Sequence, residues 1–267
     1  VSAGVGILHN QTVVITGGSR GIGLAFARRF AAAGAQVVIA ARTASDVDRA
    51  VAELQAAGAA ASGMAVDVSQ RDQVEALADF AARRNGTVAV WINNAAVSGP
   101  FGYTYDVPPE AWLQVLRVNL FGTYFGSTAA LRLMLPAAHG MIINLSGGGA
   151  TRPQRHLTAY STSKAAIVNF TRGLARDYQH LPGLKFNVLT PGMVPTDMIN
   201  RFETVGEGGA AIKELPRIMR LFGTTAEETA DLALRIVQEQ RSGRNYEVLT
   251  RRRIFGRLFQ ALIGLRR

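Results

Sequence analysis

Residues 11–42, QTVVITGGSRGIGLAFARRFAAAGAQVVIAAR, restrict the possible folds more than any other stretch of the chain. A β-branched run at 11–16 reads as a strand, residues 21–34 read as a helix closed by Gly34, and residues 36–41 read as a second strand. The alternation persists. A helical pattern follows at 46–58, and strand-like runs recur at 63–68, 88–94, 140–146 and 184–190, each separated from the next by a helix-length segment. This βαβα order predicts an α/β fold, one doubly wound parallel sheet with helices on both faces. In such a sheet a ligand lies beyond the carboxyl ends of the strands, so the residues just after each strand are the ones to inspect.

At 267 residues the chain suits one large α/β domain or two small ones, and no linker or repeat beyond the βα unit divides it. It is read as one domain over 1–250 followed by a basic amphipathic tail over 251–267. With no cysteine, disulfides and thiolate metal sites are excluded; the four histidines show no ligand spacing, so no metal is expected. The net charge of +10 invites a nucleic-acid reading, but the last 17 residues hold six arginines and no acid, which leaves +4 (10 − 6) for the rest. That is an ordinary solvated surface, and nucleic acid is not an expected partner. No apolar run approaches the ~18 residues of a membrane span. The opening VSAGVGIL lacks the charged region of a secretory signal, so the expected location is cytoplasmic.

After the first strand comes TGGSRGIG, with Gly17, Gly21 and Gly23 around Ser19, Arg20 and Ile22. Missing Cβ atoms let such a turn tighten and approach a diphosphate, and the following helix N-terminus offers free N–H groups and a positive dipole end. Cofactors without a 2′-phosphate are usually held by an acid at the end of the second strand. Here residues 17–45 contain no acid, while Arg20 and Arg42 stand where they would converge on a phosphate. The expected cofactor is therefore NADP(H).

Lysine occurs only at 164, 185 and 213 among 29 basic residues, yet one of the three follows Tyr160 by four positions in YSTSK. On a helix these two share a face. An ordinary tyrosine, with a pKa near ~10, is a poor base, and a nearby cation is expected to lower it. Ser146, closing the strand GMIINLS, lies on the same edge, and Asn119 in RVNLFG is a candidate to reach it.

TGGSRGIG, NNAA, the VN of RVNLFG, the serine after a strand, YSTSK and PGMVPT resemble, in order and spacing, the short-chain dehydrogenase/reductase (SDR) family over residues 10–240. The resemblance implies a single Rossmann-type domain that interconverts a carbonyl and a secondary alcohol on a small-molecule substrate. Tyr160 would exchange the proton, Ser146 would orient the substrate oxygen, Lys164 would bind the nicotinamide ribose, and Asn119 would hold a relay water. The resemblance further assigns Asp67 and Val68 to the adenine and Asn94, Ala95 and Ala96 to the adenosine ribose. Pro191, Gly192, Val194 and Thr196 fall to the nicotinamide side. Taken alone, an acid at 67 reads more readily as a helix cap. The alternative function is a non-catalytic NADP(H)-binding redox sensor on the same fold, which has no need of an activated phenol.

Residues 197–222 admit two readings, a mobile lid over an apolar substrate or a packed surface helix. Arg152, Arg155 and His156, just before the tyrosine, read either as attractors of an anionic acyl substrate or as solvated loop charges. Family members end in a strand and a glycine-rich turn that help build a tetramer, whereas here YEVLTRRRIFGRLFQALIGLRR is expected to take their place. A homodimer or homotetramer is expected, with peripheral membrane contact through 251–267 and self-packing of that tail as other readings.

Overall fold

A computed structural model describes residues 8–85, 87–200, 203–209, 219–220, 222–250 and 253–256. Seven strands form one sheet in the order β3-β2-β1-β4-β5-β6-β7, and every neighbouring pair is parallel. They are β1 Thr12–Thr16, β2 Gln36–Ala41, β3 Ala61–Ala65, β4 Val88–Asn93, β5 Gly140–Leu145, β6 Leu184–Thr190 and β7 Asn245–Glu247. Between them run α1 Gly21–Ala32, α2 Ala44–Ala56, α3 Arg71–Asn85, α4 Pro109–Leu116, α5 Gly122–Met134, α6 Thr158–Asp177, the single turn α7 Asp197–Asn200, and α8 Ala226–Glu239. This is the doubly wound α/β sheet that the alternation predicts.

Because β1 is central, both of its faces are covered. Val13 and Ile15 join a core with Phe26, Phe30 and Ile236, while Val14 faces the opposite core with Leu77, Trp91 and Phe186. That two-sided burial is why the strand is apolar throughout instead of alternating. Helix α1 stops as expected at Gly34, whose φ of 90° suits a residue without a Cβ, and Ala35 N–H reaches back to the Phe30 carbonyl.

Two expectations need correction. The third strand ends at Ala65, not at 68, because the Asp67 carboxylate turns back to accept the Ser69 N–H at 2.9 Å and its hydroxyl at 2.7 Å. The terminal strand expected to be missing is present as β7, paired with β6 and extended by Val248 N–H to Thr190 O. Its register rests on Asn187, whose amide binds Arg241 O and Arg244 N–H, a contact invisible in a linear pattern. Beyond it, Arg253 bonds Glu228 and Val248 O, and Phe255 is exposed. Most of the amphipathic tail, residues 251–252 and 257–267, lies outside the described residues.

Candidate active site

The sheet order reverses between β1 and β4, and a cavity of about 510 Å³ opens beyond the carboxyl ends of β1, β4, β5 and β6. Ile22, Asn94, Ala96, Ser146, Tyr160 and Lys164 line it, and so do Pro191, Gly192, Val194 and Thr196.

On the cradle side, a Cβ at Gly23 would overlap the Gly17 carbonyl, so only glycine lets α1 start this close to β1. Gly17 and Gly21 take positive φ values of 66° and 54°. No side chain caps α1 and its first turn holds no acid, so its leading N–H groups stay available to an anion. Ser19 is buried within the turn. Asn94, on the cavity wall, also clamps this loop, since its Nδ2 donates to Thr16 O at 2.9 Å and Gly17 O at 3.1 Å. Ala95 N–H completes the clamp on Thr16 Oγ1.

The two arginines part company. Arg42, exposed just past β2, has no side-chain partner among the described residues. Arg20 pairs at 3.2 Å with Asp197, the first residue of α7, in an exposed bridge across the cleft. Asp67 is held by Ser69 in a turn ahead of α3, not as a cap on that helix, and Val68 packs over Gly122 at the start of α5.

On the catalytic side, α6 places Tyr160 and Lys164 one turn apart against the end of β5. Lys164 is buried and donates to Leu145 O at 2.9 Å, with its Nζ 5.5 Å from the centre of the Tyr160 ring. Burial pushes the Tyr160 phenol up to about 12 and the Lys164 ammonium down to about 8. The lowering of the tyrosine expected from its cationic neighbour is thus absent in this arrangement. Desolvation disfavours both charged forms and outweighs their mutual attraction at that separation. Ser146 Oγ, also buried, contacts Lys164 O at 3.5 Å.

Asn119 does not line the cavity. It sits in a π-helical turn, Arg117–Phe121, wedged between α4 and α5. Its Oδ1 accepts Val97 N–H at 2.8 Å, and its Nδ2 donates to Val97 O at 2.9 Å and to Ser163 Oγ at 3.1 Å. With the side chain committed, only its backbone carbonyl, which already accepts Thr123 Oγ1, remains to hold a water.

Sequence reasoning missed a buried polar network behind the site. Asn93 accepts Trp91 Nε1 and donates to Asn144 Oδ1 at 2.8 Å and Ser127 Oγ at 3.1 Å; Asn144 donates to Thr171 Oγ1. It ties β4 and β5 to α5 and α6. His156 is buried between Phe101 and Tyr103, so it is no solvent-facing attractor, whereas Arg155 lies on the cavity wall with Nη2 donating to Tyr103 Oη at 2.6 Å. Thr204 bridges to Phe101 and Met198 lines the cavity, so the described part of 197–222 lies beside the cavity wall. Residues 201–202, 210–218 and 221 of that segment, on which the choice between lid and packed helix falls, lie outside the described residues.

Residues 11–205 match the family model of the short chain dehydrogenases. The chain belongs to that family. Among similar SDR proteins is dehydrogenase/reductase SDR family member 4 from Bos taurus, 36% identical over 71% of this chain and 67% of that protein. An SDR from Burkholderia phymatum in complex with NAD superposes with a TM-score of 0.83 at 29% identity, covering 97% of this chain and 96% of that one. A variant of actinorhodin polyketide ketoreductase with NADPH superposes with a TM-score of 0.80 at 26% identity, covering 90% and 95%. SDR proteins are oxidoreductases, and this chain shares the fold of both structural neighbours. Among its described residues no helix is long and apolar enough to cross a membrane.

Proposed function

We propose that this SDR protein is an NADP(H)-dependent oxidoreductase that interconverts a carbonyl compound and its secondary alcohol, with Tyr160 exchanging the proton at the substrate oxygen. One observation carries the reading: Ser146, Tyr160 and Lys164 meet in the same cavity that starts at Ile22 on the uncapped end of α1. A protein that only senses a nucleotide gains nothing from bringing these three groups together.

The bound nicotinamide would supply the hydride to the carbonyl carbon or accept it from the alcohol. Gly17, Ser19, Gly21, Ile22 and Gly23 would hold the diphosphate through backbone N–H groups, and Asp67, Val68 and residues 94–96 would flank the adenosine. Pro191, Gly192, Val194 and Thr196 would fix the nicotinamide end. The unpartnered Arg42 supports a 2′-phosphate. Arg20 would join it on leaving Asp197, which costs little because both side chains are exposed.

A phenol with a pKa near 12 keeps its proton at neutral pH, the form a carbonyl reduction needs. Tyr160 gives that proton to the oxygen held by Ser146. Lys164, with a pKa of about 8, is still largely charged at neutral pH and stabilises the phenolate left behind. Phe101, Leu145, Met193, Met198 and Leu249 on the cavity wall support an apolar or acyl/keto substrate.

The protein is further proposed to act as a homo-oligomer, supported by exposed Phe121, stacked on Phe125, and exposed Tyr124, tilted against the same ring, at the π-helical turn. Screening ketones, aldehydes and acyl esters for loss of NADPH absorbance tests the activity. Tight NADPH binding with no turnover on any of them would favour the sensor instead.

A further inference from the structure

Ser146 is followed by three consecutive glycines, Gly147, Gly148 and Gly149. Each faces a different residue of the segment that opens α6. A Cβ on Gly147 would overlap the Tyr160 hydroxyl and stand 3.0 Å from Cζ and 3.2 Å from Cε1. A Cβ on Gly148 would lie 2.5 Å from Gln154 Nε2, and one on Gly149 would overlap Ser161 Oγ, the acceptor of the Gln154 N–H.

The three differ in what they demand. Gly149 has a φ of 98° and needs glycine for its backbone alone. Gln154 is a flexible amide that can swing aside. Gly147 has no positive φ, so an alanine there meets no backbone penalty, and the obstacle is the phenol itself. Tyr160 cannot yield easily, because its ring is rigid and α6 is anchored through buried Ser161, Ser163 and Lys164.

We infer that Gly147 is a positioning residue for Tyr160: its missing side chain is the space that sets where the phenolic hydroxyl stands relative to Ser146. An alanine at 147 pushes the ring toward the cavity and away from the geometry of proton transfer. Displacements of about 1 Å at such a site cost on the order of 10²-fold in rate. The catalytic consequence rests on the proposed role of Tyr160; the contact between the two residues does not.

A double-mutant cycle on stability reads the contact without any substrate. Gly147→Ala lowers the denaturation midpoint of the wild type, and most of that loss disappears in the Tyr160→Phe background, where the overlapping oxygen is gone. If Gly147→Ala alone does not fold, the double variant does. Equal losses in both backgrounds, or failure of both to fold, overturn the inference. In turnover assays Gly147→Ala lowers kcat at least tenfold, with NADPH Kd changed less than threefold. Retained kcat beside a measured coupling overturns the positioning role. Retained kcat in Tyr160→Phe alone overturns the reading of the site, and the stability cycle still decides the contact.

Discussion

Lys164 Nζ donates to the backbone carbonyl of Leu145 at 2.9 Å and lies 5.5 Å from the ring centre of Tyr160, so a buried ammonium sits beside a half-buried phenol, with no carboxylate bonded to either among the described residues. Their titration therefore runs opposite to that of two exposed groups.

Lys164 falls from its ordinary 10.5 to about 8 in the folded protein, so between these values the unfolded chain binds the extra proton. Its contribution to stability is fully present above pH 10.5 and is lost as pH falls through 8. Between pH 8 and 9.5 the wild type should gain stability relative to Lys164→Met in denaturant titrations. A difference that is flat or declines over that range contradicts the buried ammonium. Tyr160, raised to about 12, contributes in the opposite sense and only above pH 10.

Tyr160→Phe removes the exchangeable proton and keeps the ring. Turnover should drop by about 10²–10⁴-fold, the usual worth of general acid–base catalysis, with NADPH affinity retained. More than a tenth of wild-type turnover refutes the role.

Arg42→Ala removes the charge-assisted bond proposed to the 2′-phosphate, worth about 1.5–3 kcal/mol, so NADPH binding should weaken roughly ten- to a hundred-fold and NADH binding should not. Adding Ala41→Asp should shift preference toward NADH. Equal binding of both cofactors by the wild type reduces Arg20 and Arg42 to surface charge.

Asp197→Asn frees Arg20 from its only ion pair among the described residues. An exposed pair is worth about 0.2–1 kcal/mol, so NADPH should bind up to about fivefold tighter at low salt, an advantage that fades as salt rises. Weaker binding would show that the bridge helps to form the site.

Asn144→Ala removes two buried hydrogen bonds, from Asn93 Nδ2 and to Thr171 Oγ1, although Asn93 keeps Ser127 Oγ and Thr171 keeps Ile167 O. At about 0.5–1.5 kcal/mol for each lost bond, the change is measurable by urea unfolding. A loss below 0.5 kcal/mol, the scale of ordinary surface substitutions, would mean that the network is slack.

The amino-acid sequence by itself determined whatever depends on neighbours along the chain. Strand and helix periods, the glycine turn before α1, the stop at Gly34 and the i, i+4 pairing of Tyr160 with Lys164 are set by local backbone geometry, and they held. Tertiary structure decided whatever joins distant segments. Asn94 reaches back 77 and 78 residues to brace the glycine loop, Arg20 finds Asp197 177 residues away, and β7 pairs with β6 through Asn187. Asn119 turned inward because Val97 and Ser163 satisfy its amide. The Tyr160 phenol is raised and not lowered for the same reason: proximity can be counted in residues, but desolvation is set by every segment that closes over the pair.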